Sequence, residues 1–200
     1  ASRLLSMAER SGDVDLRISA RSMLADAVYN LGDFHAAVEH GEAGIALDRG
    51  RAARGEGYEF SDDAGLMCRV WMSWALSRTG HQGRATEIAD EALRLGLAHP
   101  SFMIRVEAPM YAAAFYGQNR MFDVAHDINE QARALATEFD FPVGIALADM
   151  RLGWLRACQG DADGVRQIQQ GVDAWRALGS AVAAPAFMGL LAEGCIGADH

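Results

Sequence analysis

A recurring unit constrains this chain more than any other feature of its sequence: an apolar helical stripe, a glycine and a second apolar stripe. The clearest copy lies between residues 145 and 178, where apolar residues recur every three or four positions, as on one face of a helix. The stripes comprise Ile145, Ala148, Leu152 and Leu155 before Gly160, and Val165, Ile168, Val172, Trp175 and Leu178 after it. Glycine readily ends a helix, and Asp161 is placed to cap the second one. This segment is predicted to form an antiparallel helical hairpin.

The same unit recurs along the chain. The glycines predicted to turn the hairpins are Gly32, Gly80, Gly117 and Gly160. They lie 48, 37 and 43 residues apart. Three prolines near the starts of first helices, where proline is tolerated, are separated by 42 and 43 residues. These prolines are Pro100, Pro142 and Pro185. Self-similarity with a period near 40 residues indicates a stacked helical solenoid.

We therefore expect an all-α fold, a right-handed superhelical solenoid of antiparallel helix pairs. The pairs are predicted near residues 14–48, 62–96, 100–139 and 142–178, with partial repeats at both ends. Together they are expected to form a single helical-repeat domain over residues 1–200, as a fragment of a longer chain. The one long connection is predicted over residues 48–63, and Pro109 is expected to kink or delay its helix.

Composition and charge exclude several functions. The net charge of −9 is unfavourable for a nucleic-acid-binding surface. All 18 basic residues are arginine, which excludes the lysine of a phosphate loop and any Schiff base. The longest uncharged run, residues 177–192, is interrupted by Pro185 and is too short to span a membrane. Three widely spaced cysteines, Cys68, Cys158 and Cys195, favour buried reduced thiols in a cytoplasmic protein.

Residues 24–37, LADAVYNLGDFHAA, resemble the core of a tetratricopeptide repeat. That pattern pairs a large and a small residue seven or eight positions before a Gly-Asp-aromatic turn, with another small residue after it. Here the matching residues are Leu24, Ala25, Gly32, Asp33, Phe34 and Ala37. The resemblance implies closely crossing helices, with the first helix of each pair lining a concave face.

A longer resemblance covers roughly residues 25–195. It is to the C-terminal helical repeats of multidomain bacterial signalling proteins, which carry a signal-transduction ATPase, often behind a nucleotide cyclase domain, or a DNA-binding output domain. The residues that match the pattern are Gly153, Trp154, Gly160, Gly164, Gly171, Trp175 and Gly179. The resemblance implies a cytoplasmic regulatory module that acts through attached signalling domains.

Candidate chemical sites are few. His35 and His40 are five residues apart, so they diverge by about 140° around a helix and are poorly placed for zinc. Asp62 and Asp63 precede a helix and are expected to cap it. A basic cluster in the predicted long loop is either solvated or holds a phosphate or an acidic partner. It comprises Arg49, Arg51 and Arg54. Cys158 lacks a base, and no metal or cofactor site is expected.

A ligand groove is predicted from the position six residues before each turning glycine, which faces the concave side in tetratricopeptide proteins. Counting back from the four glycines gives Asp26, Trp74, Tyr111 and Trp154. Aromatic anchors often dominate recognition, and Asp26 with Glu107 would add polar contacts. The alternative is that these rings fill a tightly wound superhelix.

The sequence therefore predicts a non-catalytic regulatory module that binds a protein, a peptide or a small ligand and relays this to an attached signalling domain. The alternative is a structural module that forms homo-oligomers through its terminal repeats. That alternative rests on an apolar terminal helix without its repeat partner, which a neighbouring copy or a shifted segment is expected to cover. Its apolar residues are Ala186, Phe187, Leu190 and Leu191.

Overall fold

The computed structural model describes residues 2–53, 63–179 and 184–198, and these residues form ten α-helices and no strand. The helices are α1 (Ser2–Ser11), α2 (Val14–Asn30), α3 (Phe34–Ala53), α4 (Ala64–Arg78), α5 (Gln82–Leu97), α6 (Phe102–Gln118), α7 (Phe122–Glu138), α8 (Pro142–Cys158), α9 (Asp163–Ala177) and α10 (Ala184–Gly197). The predicted all-α solenoid of antiparallel helix pairs is confirmed. The pairs are α2/α3, α4/α5, α6/α7 and α8/α9.

The chain divides into two compact units, Ala1–Ile104 and Arg105–His200, so the boundary falls within α6. In the first unit, α4 packs against α2, α3 and α5. In the second, α8 packs against α7, α9 and α10. Each central helix therefore buries residues on more than one face, and α8 illustrates this with Ala148 and Leu152 on one stripe and Met150 and Trp154 off it.

Three of the four predicted turning glycines have the left-handed backbone that favours glycine. The φ angles of Gly32, Gly80 and Gly160 are 84°, 83° and 90°. In the third hairpin the prediction was wrong, because Gly117 lies inside α6 and Arg120, with a φ angle of 61°, takes the turn position. Gly117 has another role: a Cβ atom built on it would lie 2.6 Å from Cζ3 of Trp154.

The predicted long connection over residues 48–63 is also corrected. Helix α3 continues through it as far as Ala53, and Arg51 is buried in the fold. Two ion pairs hold Arg51 there, with Asp15 of α2 and Asp48 of α3, both at 2.7 Å. The expected delay at Pro109 is wrong as well, since α6 begins at Phe102 and includes this fully buried proline.

The helix caps partly follow the sequence. The Asp63 carboxylate caps α4 by accepting a hydrogen bond from the Leu66 amide at 2.9 Å, as expected, whereas Asp62 lies outside the described residues. Asp161 accepts from the Asp163 amide at 2.9 Å, but α9 begins only at Asp163, two residues further along. The second Asp161 oxygen accepts from Arg156 at 2.7 Å.

Helices α8 and α9 cross very closely through three glycines. A Cβ atom on Gly153 would lie 2.7 Å from the Gly164 carbonyl oxygen and 2.8 Å from the Ile168 amide nitrogen. A Cβ atom on Gly164 would meet the Gly153 carbonyl oxygen, and one on Gly171 would meet the Met150 side chain. The glycines in the middle of this pair are therefore required by backbone contact between the helices.

Candidate functional site

The five predicted groove residues fall in both units. Asp26 on α2 and Trp74 on α4 belong to the first unit, and Glu107, Tyr111 and Trp154 belong to the second. Because Arg120 takes the turn position, the position six residues before the third turn is the buried Ala114. Tyr111 was selected as the residue six positions before the third turn, and it does not lie at that position.

The first unit carries a continuous cluster of four half-buried aromatic rings, which we name the aromatic surface. It comprises Tyr29, Phe34, Trp71 and Trp74. The ring centroid of Tyr29 lies 5.4 Å from Phe34, 5.5 Å from Trp71 and 6.0 Å from Trp74. Trp71 and Trp74 are themselves 5.5 Å apart and nearly perpendicular. Three helices thus place rings in contact while leaving each partly accessible.

Asp26 lies on α2 one helical turn before Tyr29. Its Oδ1 atom accepts a hydrogen bond from the Asn30 side-chain amide at 2.6 Å. Burial raises the pKa of the Asp26 carboxyl, and the bond from Asn30 lowers it by a smaller amount, so the pKa is above its ordinary value. A partly desolvated carboxylate of this kind gains when a partner donates further hydrogen bonds to it.

Trp154 in the second unit has a different environment. It is buried, and its indole N–H donates to the Glu193 carboxylate of α10 at 3.1 Å. Its ring meets Phe122 edge-on at 5.9 Å and fits against Gly117. A buried ring that has a hydrogen-bond partner acts in helix packing, so Trp154 is not an exposed anchor.

Glu107 and Tyr111 lie on α6 and are half-buried. Near them, Arg151 of α8 donates a hydrogen bond to the Met110 carbonyl oxygen at 2.7 Å. Burial lowers the pKa of this guanidinium, and the neighbouring Tyr111 opposes the shift. Sequence reasoning missed Arg151; its position nine residues before the turning glycine, equivalent to Trp71, is the signal that could have identified it.

The two described arginines of the predicted basic cluster are paired with carboxylates of the chain. Arg49 is exposed and pairs with Glu91 at 2.8 Å, Arg51 is buried between two aspartates, and Arg54 lies outside the described residues. Sequence reasoning also missed the buried Arg69, whose guanidinium binds Asp48 at 2.7 Å and Glu91 at 2.9 Å. We name these five residues, Arg49, Arg51, Arg69, Asp48 and Glu91, the ionic network.

The other candidate chemistry has structural explanations. Burial raises the pKa of the Cys68 thiol to about 12, which keeps it protonated and unreactive at neutral pH. His40 lies 3.0 Å from an Arg21 nitrogen, and His35 is exposed. Among the described residues, no group of three or more His, Cys, Asp or Glu side chains is placed to hold a metal ion. None of the described helices is long and apolar enough to cross a bilayer.

Comparison with known proteins supports the fold. No protein-family model matches the chain, and no curated protein matches it. Among solved structures, the chain is similar to a putative kinesin light chain with nearly identical TPR-like repeats from Podosopora anserina. The match has 19% identity and a TM-score of 0.59, and covers 92% of this chain and 88% of that chain. A single-substitution variant of the same protein gives a TM-score of 0.60 at the same identity and coverage. The fold is therefore that of a tetratricopeptide-like helical repeat.

Proposed function

We propose that this chain is a non-catalytic tetratricopeptide-like module that binds a peptide segment of a protein partner on its aromatic surface. The observation that carries the proposal is the four-ring cluster in the first unit, in which every ring is in contact with another and none is fully buried. Rigid, partly accessible aromatic residues are the side chains that most often dominate binding energy at protein interfaces.

The helices support this proposal because they hold the rings in place before a partner arrives. Trp71 and Trp74 project from one helix, and Tyr29 buttresses both from another. Binding then costs little side-chain entropy, since the rings are already ordered. Asp26 would accept hydrogen bonds from the partner's backbone or polar side chains.

In the second unit we propose that Tyr111, Glu107 and Arg151 make polar contacts with a bound partner. The guanidinium of Arg151 donates to the Met110 carbonyl oxygen, and the five N–H groups of a guanidinium leave it further donors. We further propose that binding is relayed to an attached signalling domain in the cytoplasm, which rests on the sequence resemblance to bacterial signalling proteins. The three free cysteines are compatible with a reducing compartment.

A second candidate function is assembly with another copy through α10. Met188 is 49% exposed and Ile196 is 77% exposed, and these two apolar residues lie on one helix. Phe187, by contrast, is buried against Trp175, with ring centroids 5.2 Å apart. Concentration-dependent sedimentation of the chain tests this alternative, because assembly through α10 requires self-association that Ile196→Glu abolishes.

The experiment that tests the proposed function is selection of a random-peptide display library on the purified chain. Peptides that recognise the aromatic surface are expected to lose at least about tenfold in affinity with Trp74→Ala, as for an interface anchor. Trp175→Ala is the matched control, because it removes a half-buried tryptophan from the other unit. The proposal is overturned if none of the selected peptides loses affinity with Trp74→Ala.

A further inference from the structure

A groove of about 760 Å³ runs along the α8/α9 pair of the second unit. Ile145 and Ala146 of α8 and Ala174 and Leu178 of α9 line one part of it with apolar atoms. Asp149 lies further along α8, on the lining. This volume is in the range of pockets that hold small ligands or a few side chains, and none of the groove's lining residues belongs to the aromatic surface.

The corresponding place in the first unit is filled by the ionic network. The turning glycines Gly80 and Gly160 define equivalent positions in the two helix pairs. Eleven residues before the turn stand Arg69 in the first unit and Asp149 in the second, and eleven residues after it stand Glu91 and Gly171. In the first unit, Arg69 and Glu91 join at 2.9 Å and occupy the surface between the helices.

The second unit cannot fill this place with a side chain at the position of Glu91. A Cβ atom on Gly171 would meet the Met150 side chain and would lie 3.0 Å from the Ala146 carbonyl oxygen. The close crossing of α8 and α9 therefore requires glycine there. Since Asp149 also replaces the long Arg69, both members of the ion pair that closes the first unit are missing from this one.

Asp149 retains capacity to accept a hydrogen bond. Its Oδ1 atom accepts from Arg133 at 2.6 Å, and its side chain is 30% exposed. Its Oδ2 atom has no partner among the described residues. In the first unit, the carboxylate of Glu91, which stands at the position of Gly171, accepts Arg69 on one oxygen and Arg49 on the other.

The remaining charges of the groove are already paired. Arg156 bonds to Asp161 at 2.7 Å and to Gln167 at 2.9 Å, and Arg166 pairs with Asp163. The Oδ2 atom of Asp149 is therefore an open acceptor beside an apolar wall. A chain with a net charge of −9 also attracts basic partners over longer distances.

We propose that the α8/α9 groove binds an arginine-containing segment of a protein partner. The partner's guanidinium donates to Asp149 Oδ2, the opposite charge arrangement to that of Arg69 and Glu91 in the first unit. Its aliphatic stem packs against Ile145, Ala146 and Ala174, because arginine side chains commonly cover apolar surface in this way. A neighbouring apolar side chain of the same segment contacts Leu178, which is 46% exposed.

The test uses a random-peptide display library on the full chain, with counter-selection on Asp149→Asn. Peptides that depend on Asp149 are expected to be enriched in arginine. Replacing that arginine with citrulline, a neutral side chain of nearly the same shape, is expected to reduce affinity at least about fivefold, as for the loss of a charge-assisted hydrogen bond. Nuclear magnetic resonance titration with the same peptides is expected to shift amides of α8 and α9.

Asp173→Asn is the matched control, because Asp173 is an exposed aspartate of α9 that does not line the groove. It is expected to bind the peptides like wild type, and circular dichroism checks that both variants fold. The proposal is overturned if no selected peptide depends on Asp149, or if arginine and citrulline peptides bind equally. Trp74→Ala leaves this binding unchanged, so failure here and failure of the proposed function are distinguishable.

Discussion

The two units use the same helix-pair arrangement but place different side chains at equivalent positions. Three residues before the turn of its first hairpin, the first unit has Tyr29 and the second has Gly117. Tyr29 contacts Trp74 and takes part in a half-exposed aromatic cluster, whereas Gly117 leaves room for Trp154 to pack against α6 and become buried. The size of the residue at this position thus decides whether the neighbouring tryptophan is accessible or buried.

The α4/α5 and α8/α9 pairs also differ on the side that carries their charged residues, and here the space is filled in the first unit and open in the second. There the first unit is closed by the ionic network, and the second has an open groove over Gly171. The comparison shows that a repeat fixes where positions lie, while side-chain volume and charge decide which of those places is filled. Each unit therefore has a different surface.

The largest expected effect is on the ionic network. Arg69→Met leaves the buried Asp48 and the partly buried Glu91 without their shared cation, and breaking a buried ion pair typically costs about 3–5 kcal/mol. Hydrogen exchange of the α4 and α5 amides measures the loss in the first unit. Unchanged protection there would show that the network does not stabilise the pair.

The second prediction concerns the glycine crossing of the second unit. Gly153→Leu is expected to destabilise by about 1–3 kcal/mol, because the new side chain meets backbone atoms of α9 that cannot move aside. Gly83→Leu in α5 of the first unit is the control. A Cβ atom there has no neighbour within 4 Å, so the change is expected to stay within about 0.5 kcal/mol. Equal denaturation curves for the two variants would contradict the assigned crossing.

The third prediction concerns the dependence of stability on pH. Burial raises the pKa of Glu91. The hydrogen bond and charge of Arg69, together with Arg49, lower this pKa by a larger amount, so the pKa in the folded state lies below its ordinary value. A carboxyl with a lowered pKa in the folded state stabilises the fold at pH values above its unfolded-state pKa, which is about 4.3 for glutamate. This contribution is lost as the pH falls through the folded-state pKa. Glu91→Gln is expected to weaken the acid dependence of exchange protection in α4 and α5. Identical pH profiles for the variant and wild type would refute this linkage.

The smallest effect is expected for the corresponding ion pair of the second unit. Arg133→Met removes the partner of Asp149, but Arg133 is 44% exposed and Asp149 remains in contact with solvent. Pairs of this kind are typically worth about 0–1 kcal/mol. Thermal unfolding is expected to change little, in contrast to Arg69→Met. A loss as large as that of Arg69→Met would show that the groove end is more tightly built than its exposure indicates.

Much of the fold could be predicted because its signals are local. The glycines at positions 32, 80 and 160 end helices through a backbone conformation that neighbouring residues do not need to support. The apolar stripes of α8 and α9 follow from helical spacing alone, and Ala148, Leu152 and Ile168 are buried as that spacing predicts. Gly117 gave the same local signal as a turning glycine, although it contacts a tryptophan from a later helix.

The candidate site could be predicted only in part. Asp26 and Trp74 were selected by counting from correctly identified turns, whereas Tyr111 was selected by counting from Gly117, which is not a turn. The sequence indicated neither Trp71 nor Arg69 as functional or structural centres. Their roles depend on contacts with residues 21 or more positions away in the sequence, such as the ion pair between Asp48 and Arg69.

The sequence by itself determined the helices, most of their turns and the pairing period, because each depends on backbone conformation or on spacing along one helix. Only the tertiary structure decided which tryptophan is accessible, which arginines are buried and where a groove remains. Those outcomes depend on whether side chains from three helices together fill a given volume and neutralise its charge. Tyr29 and Gly117, or Glu91 and Gly171, have equivalent positions in the repeat, and only their neighbours in space give them different consequences.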